Sequence, residues 1–159
     1  MDDAATLEIT TPSEREVVVR RVFDAPPDLV FDALTRPELL RRWYGPAGWT
    51  LVVCEIDLRV GGAFHLVSRR EDGRDVGQRG VYREISRPGR IVNTEWWDDW
   101  NPGECLVTTV LTRQGGKTLF TGTTLFPSRE VRDTILESGL RDSASVLYGK
   151  LAALLAESA

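Results

Sequence analysis

The sequence predicts an α+β domain in which a curved antiparallel sheet of about seven strands wraps around a long C-terminal helix. Strand-like segments joined by short turns fill the middle of the chain, and an apolar stripe with helical spacing runs through the C-terminal segment. Short turns make consecutive strands antiparallel, and a sheet this wide twists instead of staying flat. The predicted arrangement is a helix grip, in which the helix lies across the concave face of the sheet.

The domain begins with one strand and two short helices. β-branched residues dominate positions 15–23, which is typical of a strand. Pro26 and Pro27 then open one helix, because proline is tolerated in the first turn, and Thr35 is expected to cap a second helix that ends at Gly45. Helices this short are not stable alone in water, so both must pack on the sheet.

Six further strands are expected between the short helices and the C-terminal helix. They are 49–58, 63–69, 78–85, 90–97, 104–113 and 117–126. Glycine, proline, asparagine and aspartate cluster between these segments, and such residues are typical of tight turns. The six strands are therefore predicted to form consecutive antiparallel pairs.

A long helix is expected from Ser128 to about Glu157. Serine is a favoured N-terminal cap, and leucines and alanines recur after it at steps of three and four. Gly139 interrupts this pattern, which leaves open either a kink or a tolerated glycine. If the straight helix does not close against the curved sheet, an apolar cavity is left, and small ligands usually bind in such spaces.

Length and composition indicate a single domain. The 159 residues have the usual length of one domain, and 42% hydrophobic with 28% charged residues exclude a disordered chain. We expect a loose N-terminal segment over 1–14 and one domain over 15–157. Cys54 and Cys105 lie in strand-like runs and are expected to be buried free thiols.

The charge balance and composition argue against several partners. Twenty Lys and Arg stand against 24 Asp and Glu, whereas a nucleic-acid binder normally shows a basic face. No apolar run approaches the roughly 20 residues that cross a bilayer, and the first residues lack a secretion signal, so we expect a cytoplasmic protein without membrane insertion. With one histidine, neither a metal nor a cofactor is expected. An edge strand could pair two copies, which leaves a homodimer open.

The order of these elements and six motifs resemble the START-like (SRPBCC, Bet v 1-like) superfamily. The motifs occupy 42–46 (RWYGP), 57–64 (DLRVGGAF), 80–85 (GVYREI), 102–104 (PGE), 115–118 (GGKT) and 127–130 (PSRE). More narrowly, they resemble the bacterial AHSA-type branch, named after the activator of the heat-shock-protein ninety ATPase. The likeness covers roughly 15–155.

This resemblance implies a helix-grip fold with a cavity for lipids, sterols, polyketides or plant-type phenolics. Some members of the superfamily catalyse cyclisation or dehydration in that cavity. The branch name implies a chaperone partner and a link to the stress response. We do not carry that role over directly, since in the activator the domain is one part of a longer protein.

Tryptophans are the most conspicuous candidates for ligand binding. Trp96, Trp97 and Trp100 fall within five residues at a strand end. An indole in the cavity would stack on a planar ligand and donate one hydrogen bond. Neighbours on a strand point apart, so one of the pair Trp96 and Trp97 could instead cover the other face. Trp43, on the second short helix, is expected to cover one end of the grip.

The other candidate ligand-binding residues share a strand face or helix stripe that is predicted to face the cavity. They are Phe64, Leu66, Tyr82, Thr109, Phe120, Leu136, Leu140 and Ser143. Their mixture of apolar groups and a few hydroxyls suits a ligand cavity, although it would also suit a plain core.

Catalytic groups are less evident. Strand alternation places His65 on the face opposite Phe64, which removes the usual general base. Carboxylates such as Glu55, Asp57 and Glu95 are either solvated or, if one is buried among tryptophans, carry a raised pKa suited to acid–base chemistry. No catalytic residue is assigned.

We therefore predict binding of a small hydrophobic, aromatic or polyketide- or lipid-like molecule between the C-terminal helix and the sheet. Two alternatives remain open. One is a cyclase- or dehydratase-like enzyme that uses a buried carboxylate or Tyr82. The other is a chaperone-related protein-interaction module, which would expose a contiguous apolar patch.

Overall fold

The computed structural model describes residues 7–45 and 48–157. Within those residues the chain forms eight strands and four helices. In chain order they are β1 (Glu8–Thr10), β2 (Glu16–Phe23), α1 (Pro27–Thr35), α2 (Pro37–Trp43), β3 (Trp49–Ile56), β4 (Ala63–Arg70), β5 (Asp75–Ser86), β6 (Arg90–Trp97), β7 (Cys105–Gln114), β8 (Lys117–Leu125), α3 (Arg129–Glu137) and α4 (Leu140–Glu157). The predicted α+β class, with two short helices early and a long helix at the end, is confirmed.

All strands join one antiparallel sheet in the order β1-β2-β8-β7-β6-β5-β4-β3. Only β2 and β8 pair out of sequence, which brings the start of the domain beside its last strand. The register shifts between Leu51 and Val53 in β3 and between Tyr82 and Glu84 in β5. Such irregularities bend a strand and increase its twist, which helps the sheet to curve.

The sheet has one strand more than the sequence indicates. β1 lies in the segment that was expected to be loose, where Ile9 stands opposite Val19 of β2. Three residues are too few to show an alternating pattern, so nothing in the sequence distinguishes this strand from irregular chain. Residues 1–6 of the same expected segment lie outside the described residues.

Two apolar clusters hold the helices to the concave face. The larger joins α1, α2 and the C-terminal half of α4 to the sheet, and Phe23, Phe31 and Leu151 are fully buried in it. The smaller lies beneath α3 and includes Phe126 and Val131. Each cluster covers only its own part of the concave face.

The helix starts agree in part with the predicted caps. The hydroxyl oxygen of Ser128 accepts a hydrogen bond from the Val131 amide at 3.2 Å, which confirms Ser128 as the cap of α3. Thr35 does not cap α2, because its hydroxyl donates to the carbonyl of Phe31 at 2.8 Å and Arg36 occupies the cap position. The residue before a proline avoids helical geometry, so α2 begins only at Pro37.

The expected single C-terminal helix is two helices. Gly139 has a φ of +88°, in the left-handed region that side chains disfavour, and it separates α3 from α4. The helical phase resets at this residue: α3 packs on the smaller cluster together with Leu140, the first residue of α4, and the rest of α4 packs on the larger cluster. Cys54 and Cys105 are both buried free thiols, as expected.

Alanine at the two glycines of this region should change stability in opposite directions. Gly139→Ala places a Cβ in left-handed backbone and should lower the free energy of unfolding by about 1 kcal/mol. Gly149→Ala lies within α4, where a Cβ meets no atom within 4 Å, and should raise it by about 0.5–1 kcal/mol. Urea unfolding of both variants measures the difference, and a shift of the same sign in both would contradict the assigned break.

Candidate functional site

A cavity of about 520 Å³ lies between the concave face of the sheet and the helices. Residues of β3 to β8 form its floor, and residues from all four helices form its walls and roof. Two smaller hollows of about 220 and 240 Å³ share Leu147 and other lining residues with it. The space therefore extends under the N-terminal half of α4 toward both sides.

Nine of the eleven candidate residues line this cavity. They are Trp43, Phe64, Leu66, Tyr82, Trp97, Thr109, Phe120, Leu140 and Ser143. Strand alternation predicts the placement of the sheet members among them, because alternate residues share a face. The helix members Leu140 and Ser143 lie in the first turns of α4, where Leu140 is half-buried and Ser143 is exposed.

Trp96 does not line the cavity. It stands opposite Arg79 in the β5–β6 pair, whereas Trp97 stands opposite the cavity-lining Gln78. The convex face also carries His65, whose Nε2 lies 2.9 Å from the Asp98 carboxylate. The structure thus selects Trp97 as the inner member of the tryptophan pair and places His65 outside the cavity.

Leu136 is also absent from the lining. It is half-buried and packs against the smaller core cluster, while its neighbour Ile135 reaches the cavity. The expected continuous helix would have aligned Leu136 with Leu140 four residues later. With the break at Gly139 both residues still pack against the smaller cluster, but only Leu140 lines the cavity.

Trp43 borders the cavity as a fixed part of the core. Its ring is 2% exposed, and its indole Nε1 donates a hydrogen bond to the carbonyl of Ala33 at 2.8 Å. The bond consumes the only donor of the indole. Trp43 therefore supplies apolar surface to a ligand and no hydrogen bond.

Glu95 is the one charged group among the described residues that line the cavity. It lies on the inner face of β6, two residues before Trp97 and directly opposite Cys105 of β7. Burial raises the pKa of its carboxyl group from 4.5 to about 7. No described residue donates a hydrogen bond to that carboxyl group, which is open to the cavity and enclosed by protein around it.

Three tyrosines surround the same space. The phenol oxygen of Tyr44 accepts a hydrogen bond from the amide Nε2 of Gln78. Burial and the nearby Glu95 carboxylate raise the pKa of Tyr44, and the same two causes raise the pKa of Tyr148 to about 12. Burial is also the main cause of the raised pKa of Tyr82. All three phenols are neutral at physiological pH and can donate a hydrogen bond.

Sequence reasoning treated Glu95 as one of several carboxylates and passed over Tyr44 and Tyr148. The signal that could have singled out Glu95 is its parity with Trp97 on β6, combined with a buried cysteine opposite it on β7. Tyr148 lies one position from the predicted apolar stripe of the helix. Tyr44 follows the last residue of α2, where periodicity carries no information.

Other groupings of chemical interest are absent from the described part of the chain. Over 7–45 and 48–157, no three or more His, Cys, Asp or Glu side chains are placed to hold a metal ion. None of the helices in these ranges is both long enough and apolar enough to span a membrane. Glu95 and the tyrosines are thus the main chemistry that the cavity offers.

A family model described as activator of Hsp90 ATPase homolog 1-like protein matches residues 24–156. The chain belongs to this family. The resemblance to the START-like, AHSA-type proteins is thereby confirmed, and the fold of that family is known for ligand binding. No curated protein matches the sequence.

Solved structures of bacterial proteins share the whole fold. A protein from Rhodobacter sphaeroides is 29% identical and superposes with a TM-score of 0.88 over 94% of this chain and 98% of its own. One from Nitrosomonas europaea is 24% identical, with a TM-score of 0.83 over 93% and 98%. One from Mycobacterium smegmatis is 20% identical, with a TM-score of 0.82 over 94% and 97%. At such identities the last two show the fold alone.

Removing the Glu95 carboxyl should change how stability depends on pH. The folded chain holds the Glu95 proton up to about pH 7 and the unfolded chain loses it near pH 4.5, so the folded state binds more protons in this window. The free energy of unfolding of the wild type therefore falls by up to about 3 kcal/mol as pH rises from 4.5 to 7. Glu95→Gln has no carboxyl group to titrate at this position, so its free energy of unfolding should not show this decrease. Relative to the wild type, the variant should become more stable as pH rises from 4.5 to 7.

Urea unfolding of the wild type and Glu95→Gln between pH 4.5 and 8 measures the effect. Glu104→Gln is the matched control, because Glu104 is exposed and precedes β7. Its pH profile should run parallel to that of the wild type. A parallel profile for Glu95→Gln as well would contradict the burial of the Glu95 carboxyl.

Proposed function

We propose that this protein binds a small hydrophobic, ring-containing molecule in the cavity between α4 and the sheet. The observation that carries the proposal is the cavity of about 520 Å³. Ligand pockets commonly measure about 300–1,000 Å³ and combine apolar walls with a few polar groups. This cavity has that size and that composition.

The unequal packing of α4 supports the proposal. Its C-terminal half buries Leu151, Leu154 and Leu155 in the larger core cluster. In its N-terminal half, Leu140 and Leu147 are only half-buried and Ser143 is exposed, although all three line the cavity. Apolar surface left in contact with water is unfavourable by about 25 cal/mol per Å². A ligand that covers these leucines removes that cost.

The walls favour a ring over a flexible chain. Trp97, Phe64 and Phe120 present aromatic surface from three different strands, and Tyr148 presents another ring from α4. Aromatic pairs gain about 0.5–1.5 kcal/mol beyond their buried area when they stack or meet edge to face. Polyketides and phenolics fit this lining well. Lipid-like molecules would bury apolar surface in the same cavity but would gain no aromatic stacking.

Four further expectations from the sequence remain predictions. They are a cytoplasmic location, a homodimer through an edge strand, a chaperone partner and a role in the stress response. The ligand-binding proposal depends on none of them, because it rests on a cavity within one chain.

Filling the cavity should abolish binding. Thr109 of β7 faces the cavity, whereas its neighbour Thr108 faces the opposite side of the same strand. The neutral fluorescent probe N-phenyl-1-naphthylamine should bind the wild type. Thr109→Phe should weaken that binding by about tenfold or more, equivalent to about 1.4 kcal/mol. Thr108→Phe should leave it within about twofold, and equal losses in both variants would refute the assigned site.

Glu95 favours a second candidate function, acid–base catalysis on a bound apolar substrate. With a pKa of about 7, its carboxyl group can hold or release a proton near neutral pH. A cyclisation or dehydration requires such transfers, and the enclosing cavity would exclude bulk water from the substrate. Tyr82 or Tyr148 could then donate a hydrogen bond to a developing oxyanion.

Native mass spectrometry of protein purified from its own host would identify a captured molecule for this second test. The molecule is then incubated with the wild type, Glu95→Gln and the control Glu104→Gln, and products are followed by mass. A catalytic Glu95 predicts conversion by the wild type and the control, with a rate about 100-fold lower in Glu95→Gln. A wild type that returns the molecule unchanged would exclude catalysis and leave binding intact.

A further inference from the structure

The carboxyl group of the half-buried Glu95 has no partner that the described chain supplies. Among the described residues that line the cavity it is the single acidic side chain, and none of them is a lysine, arginine or histidine. Among the described residues, none donates a hydrogen bond to it. Glu95 is half-buried and opens only to the cavity, and an ionised carboxylate shielded from bulk water is unfavourable unless a cation or several donors face it. A molecule bound in the cavity would supply such a partner.

Aromatic rings flank this carboxyl group. Trp97 lies two residues further along the same inner face of β6, and Tyr148 reaches the same space from α4. Tyr44 approaches from the end of α2, close enough for the Glu95 charge to act on its phenol. Ring faces attract cations, and proteins hold organic ammonium groups by such rings combined with a carboxylate. The lining thus joins both elements of an ammonium site at one point of an apolar cavity.

We propose that the bound molecule is an organic ammonium, an apolar ring system that carries a protonated amine, and that the amine pairs with Glu95. This inference rests on the proposed ligand-binding function and narrows it. The apolar walls take the rings, as argued above, and Glu95 fixes the orientation of the molecule. Anionic ligands such as fatty acids find no basic partner among the lining residues that the structure describes, and the Glu95 carboxylate repels them.

The pairing makes binding depend on pH. Glu95 must be ionised to hold the ammonium, so affinity falls as pH drops below the pKa of about 7. Within 7–45 and 48–157, the other titratable groups that face Glu95 are the phenols of Tyr44 and Tyr148 and the thiol of Cys105 on the opposite strand. Each has a pKa raised far above neutrality, so none of them titrates between pH 5.5 and 8.

Three probes that share one naphthalene ring test the proposal. They are 1-naphthylmethylamine, the neutral 1-naphthylmethanol and the anionic 1-naphthoate, each measured by calorimetry on the full chain at pH 8. The amine should bind about tenfold or more tighter than the alcohol, and the carboxylate should bind more weakly than the alcohol. Lowering the pH to 5.5 should reduce the affinity for the amine by roughly 30-fold and leave the affinity for the alcohol unchanged.

Glu95→Gln should reduce the preference for the amine over the alcohol to about twofold or less, while the control Glu104→Gln keeps it. The probe comparison and its pH dependence in the wild type do not require the variant to fold. Equal affinity for all three probes, or a preference that survives in Glu95→Gln, would overturn the ammonium assignment while the binding of apolar rings stands. If neither these probes nor N-phenyl-1-naphthylamine binds, the proposed function fails as well.

Discussion

A straight helix cannot follow a curved sheet along its whole length, and the rest of this structure depends on that mismatch. The larger core cluster anchors the C-terminal half of α4, where Leu151 is fully buried. The smaller cluster anchors α3 on the other side of Gly139. Between these two anchors, the first turns of α4 lie over a part of the concave face that neither cluster fills. Close packing would fill that space in an ordinary core, so its persistence is the main physical reason to assign a binding role.

The strand alternation decides what chemistry the space contains. On β6 it turns Glu95 and Trp97 inward and sends Trp96 to the convex face. Burial then raises the pKa of Glu95, and the absence of a described partner leaves its hydrogen-bonding capacity for a guest. A carboxylate shielded from bulk water and without a protein partner lowers the stability of the fold, whereas the same carboxylate is what would hold a bound cation.

Much of the fold could be predicted from the sequence because the strands alternate regularly and the turns carry glycine and proline. The same alternation placed Phe64, Thr109 and Phe120 correctly on the inner face. The sequence failed where local pattern carries no information. Three-residue β1 is too short to recognise, and periodicity alone could not show whether Gly139 ends a helix or merely sits within one. The sequence pattern also could not single out Glu95, because strands and helices distant in the chain form the environment of this residue.

The C-terminal half of α4 is anchored in the larger core cluster and the N-terminal half lines the cavity, and this division has an evolutionary consequence. Leu140 and Leu147 are half-buried at the margins of the core clusters and Ser143 is exposed, whereas Leu151 is fully buried. Substitutions at these three positions would reshape the cavity wall at a smaller cost in folding than changes at Leu151, since changes away from the centre of a packed core usually cost less. Selection for a new guest molecule can therefore act on one short surface of the chain while the scaffold stays as it is.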